Sequence, residues 1–271
     1  MLRPASALLA CLLLGSACAE TQELPQSPLE YAENAKRAYH QALEPFFDRD
    51  WEEASLMMSE VKRKYGYSRY ARLAELRMAD AAYHQEKYPE AVAAYKSFVH
   101  DFPNDPEVPY ARYKIAKAQF EQTSPSLLLP PLEERDLAAV HDTYGTIRDF
   151  LGDYPGYKHR RELDYMLEVV TGLLVRHELY VARFYLAENR LDAAAARVQY
   201  ALKSFTDSGL EAEALVLLGE IRLMLHQREQ ARALFRQVLA AHPDSPFVVP
   251  ARRFLRTLLG PTGQQHVDAR P

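Results

Sequence analysis

A histidine followed by a glutamate opens the zinc-protease helix motif, and His177-Glu178 supplies that pair. The motif needs a second histidine four residues after the first, so that both imidazoles share one helical face and the glutamate can act as general base. That position is Val181, so the zinc reading stops there. Runs that cradle phosphates or seat a nucleophile, GxxxxGK[ST], GxGxxG and GxSxG, are absent. Glu133, Glu134 and Asp136 cluster in a proline-flanked stretch, where a charge run reads as a solvated loop. The nine histidines are scattered, and no carboxylate pair stands apart from solvated helix faces. The residues therefore assign no enzyme chemistry, no metal and no cofactor.

The two cysteines, Cys11 and Cys18, both lie at the start of the chain. Arg3 gives a positive first segment, Ala5 to Leu14 an apolar one, and Gly15-Ser16-Ala17-Cys18 a small-residue cleavage region, the layout of an export signal over residues 1–17. Ser-Ala-Cys followed by Ala resembles a bacterial lipobox. Cys18 would then carry a covalent lipid, and two or more acyl chains hold a protein to a bilayer far better than one. Gly15 stands where a lipobox usually has Leu, and Ala17-Cys18-Ala19 also fits an ordinary signal peptidase, so both processing routes stay open. Ala19 rather than Asp after the cysteine resembles Gram-negative lipoproteins sorted to the outer membrane. The body that remains has no cysteine pair, so packing must stabilise it.

That body is helical by composition. Ala (38) and Leu (37) far outnumber Ile (3) and Thr (8) in the 271 residues, which favours helix and disfavours sheet. Charged residues make up 26% and the formal net charge is −4, excluding a disordered acidic chain and a strongly basic nucleic-acid binder. Beyond Leu8 to Leu14 no apolar run approaches the roughly 20 residues that cross a bilayer.

One order of residues recurs after a flexible tether at 18–28: a small residue, a large apolar one four later, an apolar one three after that, then a stop. Ala91, Tyr95, Phe98 with Pro103 and Ala231, Phe235, Val238 with Pro243 are the clearest copies. Ala54, Met58, Val61 with Gly66, Thr143, Ile147, Phe150 with Pro155, and Ala194, Val198, Ala201 with Thr206 are weaker ones. The spacings put three residues on one helical face. Successive stops lie 37, 52, 51 and 37 residues apart, against about 34 for a tetratricopeptide repeat. Thr123 to Glu134 reads as an insertion between the two helices of the third unit, and His159 to about Glu188 as a lengthened first helix of the fourth. The expectation is an all-α, right-handed tetratricopeptide solenoid of about five helix pairs, ten helices, over 29–259, with a disordered tail at 260–271. In the last unit Gly219 and Ala231 are small so that the paired helices can cross closely; Ala79 does the same opposite Ala91. Stacked pairs leave an inner face, lined by the first (A) helix of each pair, for extended or helical partners.

Several words in the chain narrow this to one family. Glu178-Leu-Tyr-Val-Ala-Arg-Phe-Tyr-Leu186 followed by Ala193-Ala-Ala-Ala-Arg197 resembles the outer-membrane assembly lipoprotein family BamD. Asp50-Trp51-Glu-Glu-Ala54, Arg135-Asp136 and Tyr154-Pro155-Gly-Tyr157 add to the resemblance, which covers about 29 to 258. Departures are Lys64-Tyr-Gly-Tyr-Ser68 in place of a Tyr-Pro ending, and Thr206 in place of Pro. The resemblance implies a non-enzymatic, lipid-anchored subunit on the periplasmic face of a Gram-negative outer membrane. Its implied partners are the POTRA-bearing β-barrel assembly subunit, other Bam lipoproteins, and the C-terminal segments of unfolded outer membrane proteins. A periplasmic tetratricopeptide adaptor for cell-wall or pilus assembly is the alternative.

Within that reading, helical counting assigns a receiving groove to Lys36, Tyr39 and Phe47, then Leu76, Asp80 and Tyr83, then Tyr110 and Lys114. Aromatic pockets plus a lysine suit an extended peptide that ends in an aromatic residue and a carboxylate; the same aromatics at helical spacing also suit inter-repeat packing. Arg197, on the helix after four alanines, is assigned to an acidic residue of the POTRA domain, since arginine makes planar multi-donor contacts with carboxylates. A local pair with Asp192 is the alternative.

Overall fold

In the computed structural model, residues 27–123 and 137–259 are described, and they form eleven α-helices. The helices are α1 (Pro28–Phe47), α2 (Trp51–Lys64), α3 (Arg69–His84), α4 (Tyr88–Asp101), α5 (Val108–Gln122), α6 (Ala138–Asp153), α7 (Arg160–Ala187), α8 (Leu191–Ser204), α9 (Glu211–Met224), α10 (Arg228–Ala241) and α11 (Val248–Leu259). Odd and even helices pair as A and B of five successive units, each packed on the next to form a tetratricopeptide solenoid. The leader, Cys18, the tether up to residue 26, the third-unit segment with Glu133, Glu134 and Asp136, and the tail from 260 lie outside the described residues.

Local chemistry sets the starts. Ser27, Asp50 and Ser68 each accept a hydrogen bond from the backbone N–H three residues on, at 3.2, 3.1 and 3.1 Å, satisfying an amide the helix cannot pair. Pro28, Pro89 and Pro109 occupy first-turn positions, where the missing N–H costs nothing. The five B helices end at Lys64, Asp101, Asp153, Ser204 and Ala241, each two residues before one of the five stops.

Between A and B helices a second signal repeats. Arg49, Glu86, Asn189 and His226 all take positive φ, from 55 to 65°. The next residue in each case bonds back to the A helix over five residues, as in Asp50 N to Pro45 O and Gln227 N to Arg222 O, the Schellman closure. Glycine is the usual residue there, but four different side chains occupy these turns, so composition did not reveal them.

The repeat positions form the core. In order, Ala54, Met58, Val61, Ala91, Tyr95, Phe98, Thr143, Ile147, Phe150, Ala194, Val198, Ala201, Ala231, Phe235 and Val238 are all 3% exposed or less. The Gly219 crossing is tighter than expected and has a different partner: a Cβ there would sit 2.5 Å from Cε1 of Phe235, so the glycine makes room for that ring rather than for Ala231. The fourth A helix runs 28 residues, as its lack of breakers predicts. The count of ten helices needs correction, because α11 adds an unpaired eleventh. Val248, Ala251 and Leu255 bury against the last pair, and Phe254 stacks on Phe235 at 5.0 Å; without it, the final apolar face would meet water.

Candidate functional site

The A helices α1, α3 and α5 place a charged and aromatic cluster on their shared layer. Its centre is Asp80 of α3, 1% exposed. Tyr95, reaching across from α4, donates its hydroxyl to Asp80 Oδ1, and Tyr110 of α5 donates to the same oxygen at 2.7 Å. Arg77 Nη1 lies 2.6 Å from Oδ2 as an ion-pair contact; it is not an aligned hydrogen bond, and both Oδ2 and Arg77 Nε stay buried without one. Lys114 Nζ lies 3.8 Å from Oδ1 and 3.6 Å above the Tyr83 ring. A carboxylate buried this deeply needs such a ring of donors to remain charged.

The electrostatics divide the cluster into fixed and adjustable parts. Burial, reinforced by Asp80, pushes the phenols of Tyr95 and Tyr110 up, so both remain donors. Burial is the largest single influence on Arg77 and works against its charge, but Asp80 together with Tyr110, Tyr39 and Tyr95 outweighs it, and the guanidinium is held more firmly protonated. Lys114 goes the other way: burial pulls it down to about 8. Its ammonium has three donors and, among the described residues, one long ionic contact and one aromatic face. It is therefore the group with capacity left for an acceptor from outside.

A second polar set continues along the layer. Tyr113 donates to Glu162 of α7 at 2.6 Å, Lys117 Nζ lies 2.7 Å from the same carboxylate, and His159 stacks on Tyr113 at 4.8 Å. Burial raises the Glu162 carboxyl, but Lys117 and Tyr113 outweigh it and hold it below its usual range. On the other side an aromatic run joins Phe47 to the cluster. Phe46 packs on Phe47 at 6.2 Å and on Trp51 at 5.2 Å, Trp51 stacks on His84 at 4.8 Å, and His84 meets Tyr83 at 5.5 Å.

Of the eight groove residues read from sequence, Asp80, Tyr83, Tyr110 and Lys114 meet directly, and Tyr39 lies within reach of the charges on Arg77 and Asp80. Leu76 is a correction: it is wholly buried with Ala79, Tyr95 and Phe98, so it is core and cannot touch a peptide. Asp80 is a foundation beneath the surface rather than a contact residue. Phe47 is 73% exposed at the far end of the aromatic run, and Lys36 lines a separate notch with Tyr31, Tyr67 and Arg69. Arg77, Tyr95, Tyr113, Lys117 and Glu162 were missed. Tyr110, Tyr113, Lys114, Lys117 and Glu121 fall at helical spacing on one stripe of α5, a signal that was present in the sequence. A cleft of about 570 Å³ between α6, α7 and the end of α8 shares no residue with the cluster.

Arg197 also has a partner within the chain, and it is not Asp192. Its Nη1 lies 3.3 Å from Oε2 of Glu178, a side chain 6% exposed, while Arg197 itself keeps 44%.

The sequence of residues 31–236 matches the family profile described as YfiO, outer membrane lipoprotein. The chain belongs to this BamD-type family. A BamD relative from Caulobacter vibrioides, named outer membrane protein assembly factor, is 26% identical over 231 residues, 85% of this chain and 73% of its own length. The Neisseria gonorrhoeae BamD of the same name is 24% identical over 249 residues, 90% and 91% of the two chains. Among solved structures, the TPR2AB-domain of yeast Sti1 is similar over 84% of this chain and 83% of its own, at 12% identity and a TM-score of 0.46. No described helix is long and apolar enough to cross a membrane.

Proposed function

We propose that this chain is an outer membrane protein assembly factor acting as a non-catalytic scaffold. It is anchored through a lipid on Cys18 at the periplasmic face of the outer membrane, beside other Bam lipoproteins. The first three repeats receive the C-terminal segments of unfolded outer membrane proteins, and the later repeats, with Arg197, contact the POTRA-bearing barrel subunit. Family membership and the shared name of its relatives support the assembly role. The observation that carries the receiving site is Lys114: a nearly buried ammonium over the Tyr83 ring, braced by Asp80, with donor capacity unused among the described residues. A peptide's terminal carboxylate supplies the missing acceptor, and the aromatic run toward Phe47 supplies a surface for its apolar side chains.

A labelled peptide ending in Phe with a free carboxylate tests the site by fluorescence anisotropy. The amidated peptide should bind at least about tenfold more weakly, the weight of one charge-assisted hydrogen bond, and Lys114→Met should erase the difference. Equal binding of acid and amide would sink the site. Cross-linking in native membranes tests the machine: recovery of the barrel subunit joined to repeats four and five is expected, and recovery of cell-wall enzymes without it would move the chain to the adaptor class.

A further inference from the structure

The N-terminal edge of the solenoid carries a feature that peptide capture does not use. Pro28 and Tyr31 of α1, with Tyr67 and Ser68 of the loop before α3 and Arg69 and Tyr70 of α3 itself, line a notch of about 510 Å³. Two cations enter it, Lys36 and Arg69, and neither forms an ion pair among the described residues. Glu33 is the one carboxylate on its lining. Behind the lining, the Tyr65 ring meets Tyr31 edge-on at 5.4 Å. Tyr67 at the loop tip is 99% exposed, an unusual place for a ring to be left in water.

We propose that this notch rests on the membrane surface and takes anionic phospholipid headgroups. Three observations converge. The described residues begin at Ser27, and Pro28 beside it is part of the notch wall. At no more than about 3.6 Å per residue, the ten residues back to Cys18 limit this edge to within ~35 Å of an acylated cysteine. The chemistry is that of a membrane interface: tyrosine rings with a polar tip beside a lysine and an arginine that have no carboxylate partner among the described residues and suit phosphate. Each cation near an anionic surface strengthens contact about fivefold, equivalent to about 1 kcal/mol. The notch thus orients the solenoid, presenting its first helix pair to the lipid.

This inference rests on the anchoring part of the proposed function, and the test separates the two. The full chain, carrying Tyr67→Cys labelled with an environment-sensitive fluorophore, is held to vesicles through its own acyl chains, or through an N-terminal His tag on nickel-chelating lipid. The mass of its N-terminal peptide reports acylation on its own. With 30% phosphatidylglycerol and headgroup-level quencher lipids, the probe at 67 should be quenched. Pure phosphatidylcholine or 0.5 M salt should relieve the quenching. Lys36→Gln and Arg69→Gln should each lower the contacting fraction ratio about fivefold, while Lys36→Arg preserves it. A probe at Val249, 73% exposed on the last helix, should stay unquenched. Equal quenching at 67 and 249, or quenching at 67 indifferent to lipid charge and to both substitutions, would overturn the proposal; so would quenching lost only when a co-reconstituted partner protein is removed.

Discussion

Replacing Lys114 with Met should stabilise the fold while weakening peptide capture. Lys114 is 7% exposed, and burial draws its ammonium from 10.5 down to about 8, with Asp80 offsetting only part of the effect. That displacement corresponds to roughly 3 kcal/mol against the charged form at neutral pH. Methionine keeps the stem and its contact with the Tyr83 ring but removes the cost of desolvating a charge. Asp80 loses one attraction at 3.8 Å and retains Arg77 and two phenol donors. The net gain should be about 1–2 kcal/mol at pH 7, read as a higher urea midpoint with an unchanged slope. The gain should also vanish with rising pH. The folded chain releases this proton near pH 8 and the unfolded chain near 10.5, so between those values the unfolded state holds more protons and wild-type stability climbs. Titrations common to both proteins cancel in the difference. A Met variant less stable than wild type at pH 7, or a difference flat from pH 7 to 10, would refute the reasoning and make Lys114 a structural partner of Asp80.

Other outcomes follow from the same geometry. Asp80→Asn leaves the half-buried Arg77 and the buried Lys114 without this carboxylate and should cost about 3–5 kcal/mol in urea unfolding, with part recovered in the Asp80→Asn, Lys114→Met double variant. Gly219→Ala puts a methyl 2.5 Å from the Phe235 ring; overpacking of this kind should cost about 1–3 kcal/mol, and calorimetry showing an unchanged melting temperature would contradict so close a crossing of α9 and α10. Arg197→Glu should abolish co-purification with the barrel subunit. Since it also sets a second carboxylate beside Glu178, Arg197→Met serves as the control that must fold normally and lose the partner too.

Several features were legible without any tertiary information because they are local. Helix stops depend on the few residues around them, and all five stops fall just past the end of a B helix. The small-large-large order was legible because each trio buries on a single helical face, and every member is core. The length of α7 followed from a lack of breakers. Local reasoning failed where one side chain must choose between two fates that share a spacing. Leu76 and Asp80 lie one turn apart on α3, yet one packs into apolar core and the other anchors a polar cluster, a distinction set by Tyr95 and Tyr110, 15 and 30 residues away from Asp80.

What the sequence determined by itself is thus the solenoid, its repeat register and its family, since these repeat down the chain and average over many residues. What only the tertiary structure decided is which polar groups meet. Asp80 gathers phenols and cations from three helices, Arg197 pairs with Glu178 across a helix pair rather than with nearby Asp192, and Lys114 is left with capacity to spare. Such pairings depend on distances between helices that no single segment encodes, because a few ångströms of stacking decide whether a buried charge is matched or exposed.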